Sequence, residues 1–157
     1  GRFIWAYIPE IERSIRTITA LLRNGGLLAF LEWDHSRPPD VYPRIVSFDQ
    51  FNDLVIRTLR DVGVQTEIVR SLYCALSAIT TNHPEIISYT YLTGDFDLLF
   101  PYLTDTLRSV RSCANQELLQ EFDKIASKEF LRHLRLEAIE KKAVLGLSPI
   151  IGAWTHC

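Results

Sequence analysis

Residues 21–34 read Leu21-Leu22-Arg23-Asn24-Gly25-Gly26-Leu27-Leu28-Ala29-Phe30-Leu31-Glu32-Trp33-Asp34, and the chain changes character at the double glycine. Upstream, Ile11, Ile15, Ile18 and Leu22 recur at spacings of four, three and four, which predicts a helix over 9–23 with one apolar stripe. Pro9 is tolerated in a first turn, and Asn24-Gly25-Gly26 supplies the left-handed residues that stop a helix. Downstream, Leu27 to Leu31 is an unbroken apolar run of strand length. It does not alternate, which is the pattern of a strand covered on both faces in a parallel α/β sheet.

The following residues, 34–43, hold Pro38, Pro39, Asp40 and Pro43 and form a loop. A second helix is predicted over 47–62, with Ser47 and Gln50 as a capping box, Val46 stapled onto Phe51, and Gly63 as the stop. In 64–69 the pattern becomes strictly alternating, with Val64, Thr66 and Ile68 on one side, so a half-exposed edge strand is expected. From 71 to about 147 the chain reads as a mainly helical insertion that caps one side of the sheet. It is punctuated at Asn82-His83-Pro84 and Thr93-Gly94-Asp95, with helices over 96–113 and 116–142. The apolar run Leu147-Ser148-Pro149-Ile150-Ile151-Gly152-Ala153-Trp154-Thr155 closes the chain as a last strand. About three strands is few for an α/β domain, so a further layer or partner is expected beside them.

The composition bounds the function. The 157 residues amount to one domain, 47% of them apolar and 23% charged, enough to bury a core. Seventeen basic residues are interspersed with nineteen acidic ones for a net charge of −2, which argues against nucleic acid and anionic membrane as partners. No apolar run approaches the roughly 20 residues of a membrane span. Cys74, Cys113 and Cys157 are widely spaced and odd in number, which suits a reducing, cytoplasmic setting better than a disulfide framework. Methionine is absent and Gly1 opens the chain, so the sequence is expected to be a piece of a longer protein.

Candidate chemistry gathers at the end of the 27–31 run. Glu32 and Asp34 share one side of a strand, beyond whose carboxyl end ligands bind in open α/β sheets, and His35 follows as a possible base. The competing reading is that the two acids are solvated or cap a loop. Trp5 and Trp33 would give a flat organic ligand its aromatic walls, unless they are simple core packing. No G-x-S-x-G elbow occurs, and Gly25-Gly26 lies between a helix and a strand, the wrong order for a phosphate loop. His133 with Glu129 or Glu137 reads as a charged helix face, and no metal is expected.

The run Gly1-Arg2-Phe3-Ile4-Trp5-Ala6-Tyr7-Ile8-Pro9, the helix ending Leu21-Leu22-Arg23-Asn24-Gly25-Gly26 and the strand that follows resemble the second half of class I S-adenosylmethionine-dependent methyltransferases. Asn24 stands where that family usually has proline. The helix over 47–62 with Leu59-Arg60-Asp61-Val62-Gly63, the alternating segment 64–69 and Pro149-Ile150-Ile151-Gly152-Ala153-Trp154 resemble its fifth crossover helix, its sixth strand and its seventh strand, the last antiparallel between the fifth and sixth. The resemblance implies a partial Rossmann-like three-layer sandwich of strands 5, 6 and 7, a carboxyl-terminal half spanning 1–157 with the insertion at about 71–147. It implies a small-molecule methyl acceptor, and a non-catalytic methyltransferase-like subunit is the alternative. Gly1, Arg2 and Phe3 would lie by the methionine end of S-adenosylmethionine, Trp5, Tyr7 and Trp33 by the acceptor, and Glu32, Asp34 or His35 would serve as base. The glycine-rich cofactor turn and the acidic residue after the second strand are not in this sequence, so the missing half, a partner chain or self-association is expected to complete it.

Overall fold

A computed structural model describes residues 1–81 and 83–157. The fold is mixed α/β, with helices α1 (Ile11–Thr19), α2 (Val46–Asp61), α3 (Ile68–Ser77), α4 (Phe96–Arg111), α5 (Gln116–Ile125) and α6 (Lys128–Glu140). The strands are β1 (Leu27–Trp33), β2 (Val41–Tyr42), β3 (Glu85–Tyr89), β4 (Leu92–Thr93), β5 (Val144–Gly146) and β6 (Ile150–His156). The chain divides into two compact units, the first Gly1–Arg37, Gln65–Thr90 and Pro149–Cys157, the second Pro38–Val64 and Tyr91–Ser148.

The first unit is built on a sheet of order β1-β6-β3. β6 runs antiparallel to both neighbours, pairing Phe30 with Ala153 and Ile86 with Ala153 from its two edges, so β1 and β3 are parallel to each other. On the outer edge of β1, Arg2 makes a parallel bridge to Leu31, with Phe3 N–H donating to Leu31 O at 2.8 Å and Leu31 N–H to Gly1 O at 3.0 Å. The ladder neighbour of β1 is therefore antiparallel, and the parallel contact expected for its apolar run is the bridge from Arg2. Period-two alternation puts Leu28, Phe30 and Glu32 on one face; α3, with Ile68, Leu72 and Leu76 buried, packs on β6, and α1, with Ile11 and Ile15 buried, packs on α3. The opposite face carries Leu27, Ile87 and Tyr89, which are 54%, 58% and 62% exposed. The continuous apolar run thus predicts more coverage than the unit itself supplies.

The second unit packs α2, α4, α5 and α6 around one core, in which Phe48, Leu54, Leu103, Leu107, Phe122, Leu134 and Leu145 are fully buried. Its small sheet has the order β2-β5-β4. Asp95, Asn115 and Ser127 cap α4, α5 and α6 with side-chain oxygens that accept from the first-turn amides.

Several expectations fail for identifiable reasons. The helix over 9–23 is shorter, Ile11–Thr19, and Ile18 is 37% exposed. The expected helix over 116–142 is two helices, broken where Ser127 accepts from Phe130 N–H and starts a new one. The predicted capping box is absent: Ile45 is the N-cap of α2, and the Ser47 hydroxyl donates to Glu137 Oε2 at 2.6 Å. Val46, placed as the staple, is 56% exposed. No strand forms over 64–69. The alternation there is real, since Val64, Thr66 and Ile68 are all buried, but the backbone is tied by Gln65 N–H to Ala6 O and His35 N–H to Thr66 O, and α3 starts at Ile68. The edge strand is instead Glu85–Tyr89, inside the stretch read as helical. Of the Asn82-His83-Pro84 break, Asn82 lies outside the described residues.

Candidate functional site

The residues singled out by sequence lie in the first unit, at the carboxyl end of β1 and in the segment that bridges to it. Glu32 is 1% exposed, and its Oε1 accepts from Ile4 N–H at 2.8 Å and Trp5 N–H at 2.9 Å. These bonds fix the start of a single 3-10 turn over Trp5–Tyr7 against the strand. Two amides converging on one carboxylate oxygen is a strong anchor, because an ionised acceptor strengthens each bond.

Asp34 is also buried, and it too serves its own backbone. Oδ1 accepts from Ser36 N–H at 3.0 Å and Oδ2 from the Ser36 hydroxyl at 2.9 Å, which closes an Asx turn just past the strand. The Asp34 N–H donates to Pro149 O at 2.8 Å, tying that turn to the approach to β6. His35 is half-buried, and burial lowers its pKa, with the Asp34 charge pulling the other way.

The aromatic residues divide. Phe3 stacks on Trp33, ring centroids 5.5 Å apart, and the Arg2 guanidinium sits 5.7 Å from the Phe3 ring centroid. Trp5 is 3% exposed and meets Phe30 edge-on at 4.7 Å. Its indole Nε1 has no hydrogen-bond partner among the described residues, a costly condition for a buried donor. A Cβ at Gly1 would stand 2.6 Å from that nitrogen, so only glycine fits there without a shift. Phe3 has φ +54°, a left-handed backbone uncommon for a side chain of this size. Tyr7 is 64% exposed and belongs to the surface of the turn.

The structure therefore brings Gly1, Arg2, Phe3, Trp5, Glu32 and Trp33 together around one strand end, with Asp34 and His35 next along the chain, and leaves Tyr7 at the periphery. Among the described residues no three His, Cys, Asp or Glu side chains are placed to hold a metal ion, and Cys74, Cys113 and Cys157 are free thiols. No helix among them is long and apolar enough to cross a membrane. Sequence reasoning missed a groove beside this strand end, formed partly by α3 and β3; the run Glu85-Ile86-Ile87-Ser88-Tyr89 after Pro84, rich in β-branched and aromatic residues, is the signal that could have found it. Neither a protein-family model nor a curated protein sequence matches the chain.

Proposed function

We propose that this chain is the carboxyl-terminal part of a Rossmann-like methyltransferase that takes the methyl group from S-adenosylmethionine and delivers it to a small-molecule acceptor. The observation that carries the reading is the sheet of the first unit: a reversed strand, β6, between two mutually parallel strands, with a parallel bridge from Arg2 on the outer edge of β1. Helix α1 enters β1 through Gly25, which has φ +76°. The resemblance implies the order 4, 5, 7 and 6 with the sixth strand at 64–69, where no strand forms; the reading assigns those places to the Arg2 bridge, β1, β6 and Glu85–Tyr89 instead.

The residues present fit one end of the cofactor. A buried indole N–H at Trp5, without an acceptor among the described residues, suits a polar ligand atom. Gly1, Arg2 and Phe3 would hold that end. No G-x-G-x-x-G run occurs in the 157 residues, so the reading requires a glycine-rich turn from outside them. When bound, the cofactor supplies an electrophilic methyl group on a sulfonium.

The chain's own residues then position rather than activate. Glu32 fixes the turn that carries Trp5, Asp34 fixes the loop that carries His35 and Ser36, and Trp33 stacks with Phe3. Direct displacement depends chiefly on alignment of the reacting atoms, which such anchors serve. His35, whose lowered pKa favours the neutral ring at neutral pH, is the base this reading assigns where the acceptor must lose a proton. The open sheet face with Leu27, Ile87 and Tyr89 supports the companion proposal that the missing layer, a partner chain or a second copy covers it.

Calorimetric titration of S-adenosylmethionine tests the reading, using residues 1–157 and the same residues expressed with their natural upstream reading frame. Binding by the extended chain, weakened by Trp5→Phe, is expected. Absence of binding by the extended chain overturns it and leaves the non-catalytic subunit.

A further inference from the structure

A groove of about 550 Å³ opens beside the edge strand of the first unit, on the sheet face where α3 packs. α3 packs on β6, and in the groove beside it Ile86 of β3 is half-buried and Ser88 exposed. Ile86, Ile151 and Val69 supply apolar lining, and Tyr73 of α3 adds an aromatic wall. The volume falls in the range of small-molecule clefts.

Two guanidiniums, Arg37 and Arg70, also line it. Six other arginines, Arg13, Arg44, Arg57, Arg108, Arg111 and Arg135, make ion pairs with nearby acids. Arg37 and Arg70 make none among the described residues, although the groove contains two carboxylates. Asp34 has both oxygens engaged by Ser36, and Glu67 stands exposed at the rim.

We propose that this groove binds an organic acid carrying a single carboxylate, its apolar body against Ile86, Ile151 and Tyr73 and its carboxylate held by Arg37 and Arg70. Guanidinium forks match a carboxylate in two-bond geometry, which is how such a pair would select an acid over its neutral isostere. The charges of Asp34 and Glu67 disfavour a dianion such as a phosphate monoester at the same place. The site is separate from the Trp5 and Gly1 end and does not depend on the methyl-transfer reading; if both hold, it is where an acidic acceptor would lie.

The test is calorimetry of residues 1–157 with three probes: 4-phenylbutyrate, its neutral amide 4-phenylbutanamide, and phenyl phosphate. Neither arginine is buried, so Arg37→Gln and Arg70→Gln leave the core intact. The acid is expected to bind at least about tenfold more tightly than the amide, and the double variant to lose that advantage while holding the amide unchanged. Ser88→Trp, which fills the groove, is expected to remove binding of both. Equal affinity for acid and amide, an unaffected double variant, no binding of the acid, or tighter binding of phenyl phosphate than of the acid would each overturn the proposal. S-adenosylmethionine is absent from every arm, so this outcome is independent of the cofactor titration.

Discussion

Replacing Glu32 separates a positioning role from a chemical one. Its Oε1 accepts from two amides, Ile4 and Trp5, at 2.8 and 2.9 Å, and the residue is 1% exposed. Hydrogen bonds to charged groups contribute about 1.5–3 kcal/mol each, so the pair contributes roughly 3–6 kcal/mol. The Ile4 amide is only partly buried and regains some of its loss from water, which puts Glu32→Ala near 3–4 kcal/mol. Glu32→Gln keeps an oxygen in the same place and loses only the charge, a cost of about 1–2 kcal/mol. Against a domain stability of roughly 5–15 kcal/mol, both are measurable by urea unfolding. A loss below about 1 kcal/mol for Glu32→Ala, or equal losses for the two variants, would refute the assignment. A base would show the opposite profile, with Glu32→Gln keeping its stability and losing turnover.

His35 gives stability a pH dependence of defined sign. Burial lowers its pKa in the folded chain, so the unfolded chain takes up the proton first as pH falls below about 6.5, and the contribution present above that value is lost toward the lower folded-state pKa. Urea midpoints for His35→Gln are expected to fall less than wild type between pH 7.5 and 5, and parallel curves would sink the argument. At Gly146, a Cβ would meet Asp40 O at 2.9 Å and Leu92 Cδ2 at 3.0 Å, so Gly146→Ala should cost about 1–3 kcal/mol. Gly94→Ala, whose Cβ has nothing nearer than 3.7 Å, should be close to neutral in the same unfolding assay, and equal costs would contradict the packing argument.

Much of the fold was legible where one residue type meets one backbone demand. Gly25 ends the turn into β1 with a left-handed φ, and Leu27–Trp33 and Ile150–His156 form strands where their apolar runs place them. What misled was alternation without a ladder. Val64, Thr66 and Ile68 alternate because a crossing segment buries every second side chain, while its amides and carbonyls are satisfied by Ala6 and His35. The competing signal was Ile68, Leu72, Ala75 and Leu76, all buried on one side of α3 at spacings of four, three and one. Ser47 shows the limit of local motifs: its hydroxyl is drawn to Glu137, 90 residues away, and no reading of the neighbouring positions could supply that partner. At the site, residue types and their neighbourhood on β1 were readable, but the commitments of the two carboxylates were not. Those depend on where the amides of Ile4 and Trp5 come to rest, a matter of tertiary packing.

That distinction decides how the strand end can work. An acid is a candidate base only while its oxygens are free, and here Glu32 anchors two amides while Asp34 closes a turn on Ser36. Their burial follows from backbone satisfaction, since a buried amide must find an acceptor. Among the described residues the indole N–H of Trp5 has no acceptor, and in the groove beyond, the guanidiniums of Arg37 and Arg70 make no ion pair. Those are donors, suited to holding ligand atoms that carry negative charge or lone pairs. In the proposed reading such a strand end aligns its ligands, and His35 is the base assigned where the acceptor must lose a proton. Within the proposed reading, the chemistry is the cofactor's and the contribution of this chain is geometry.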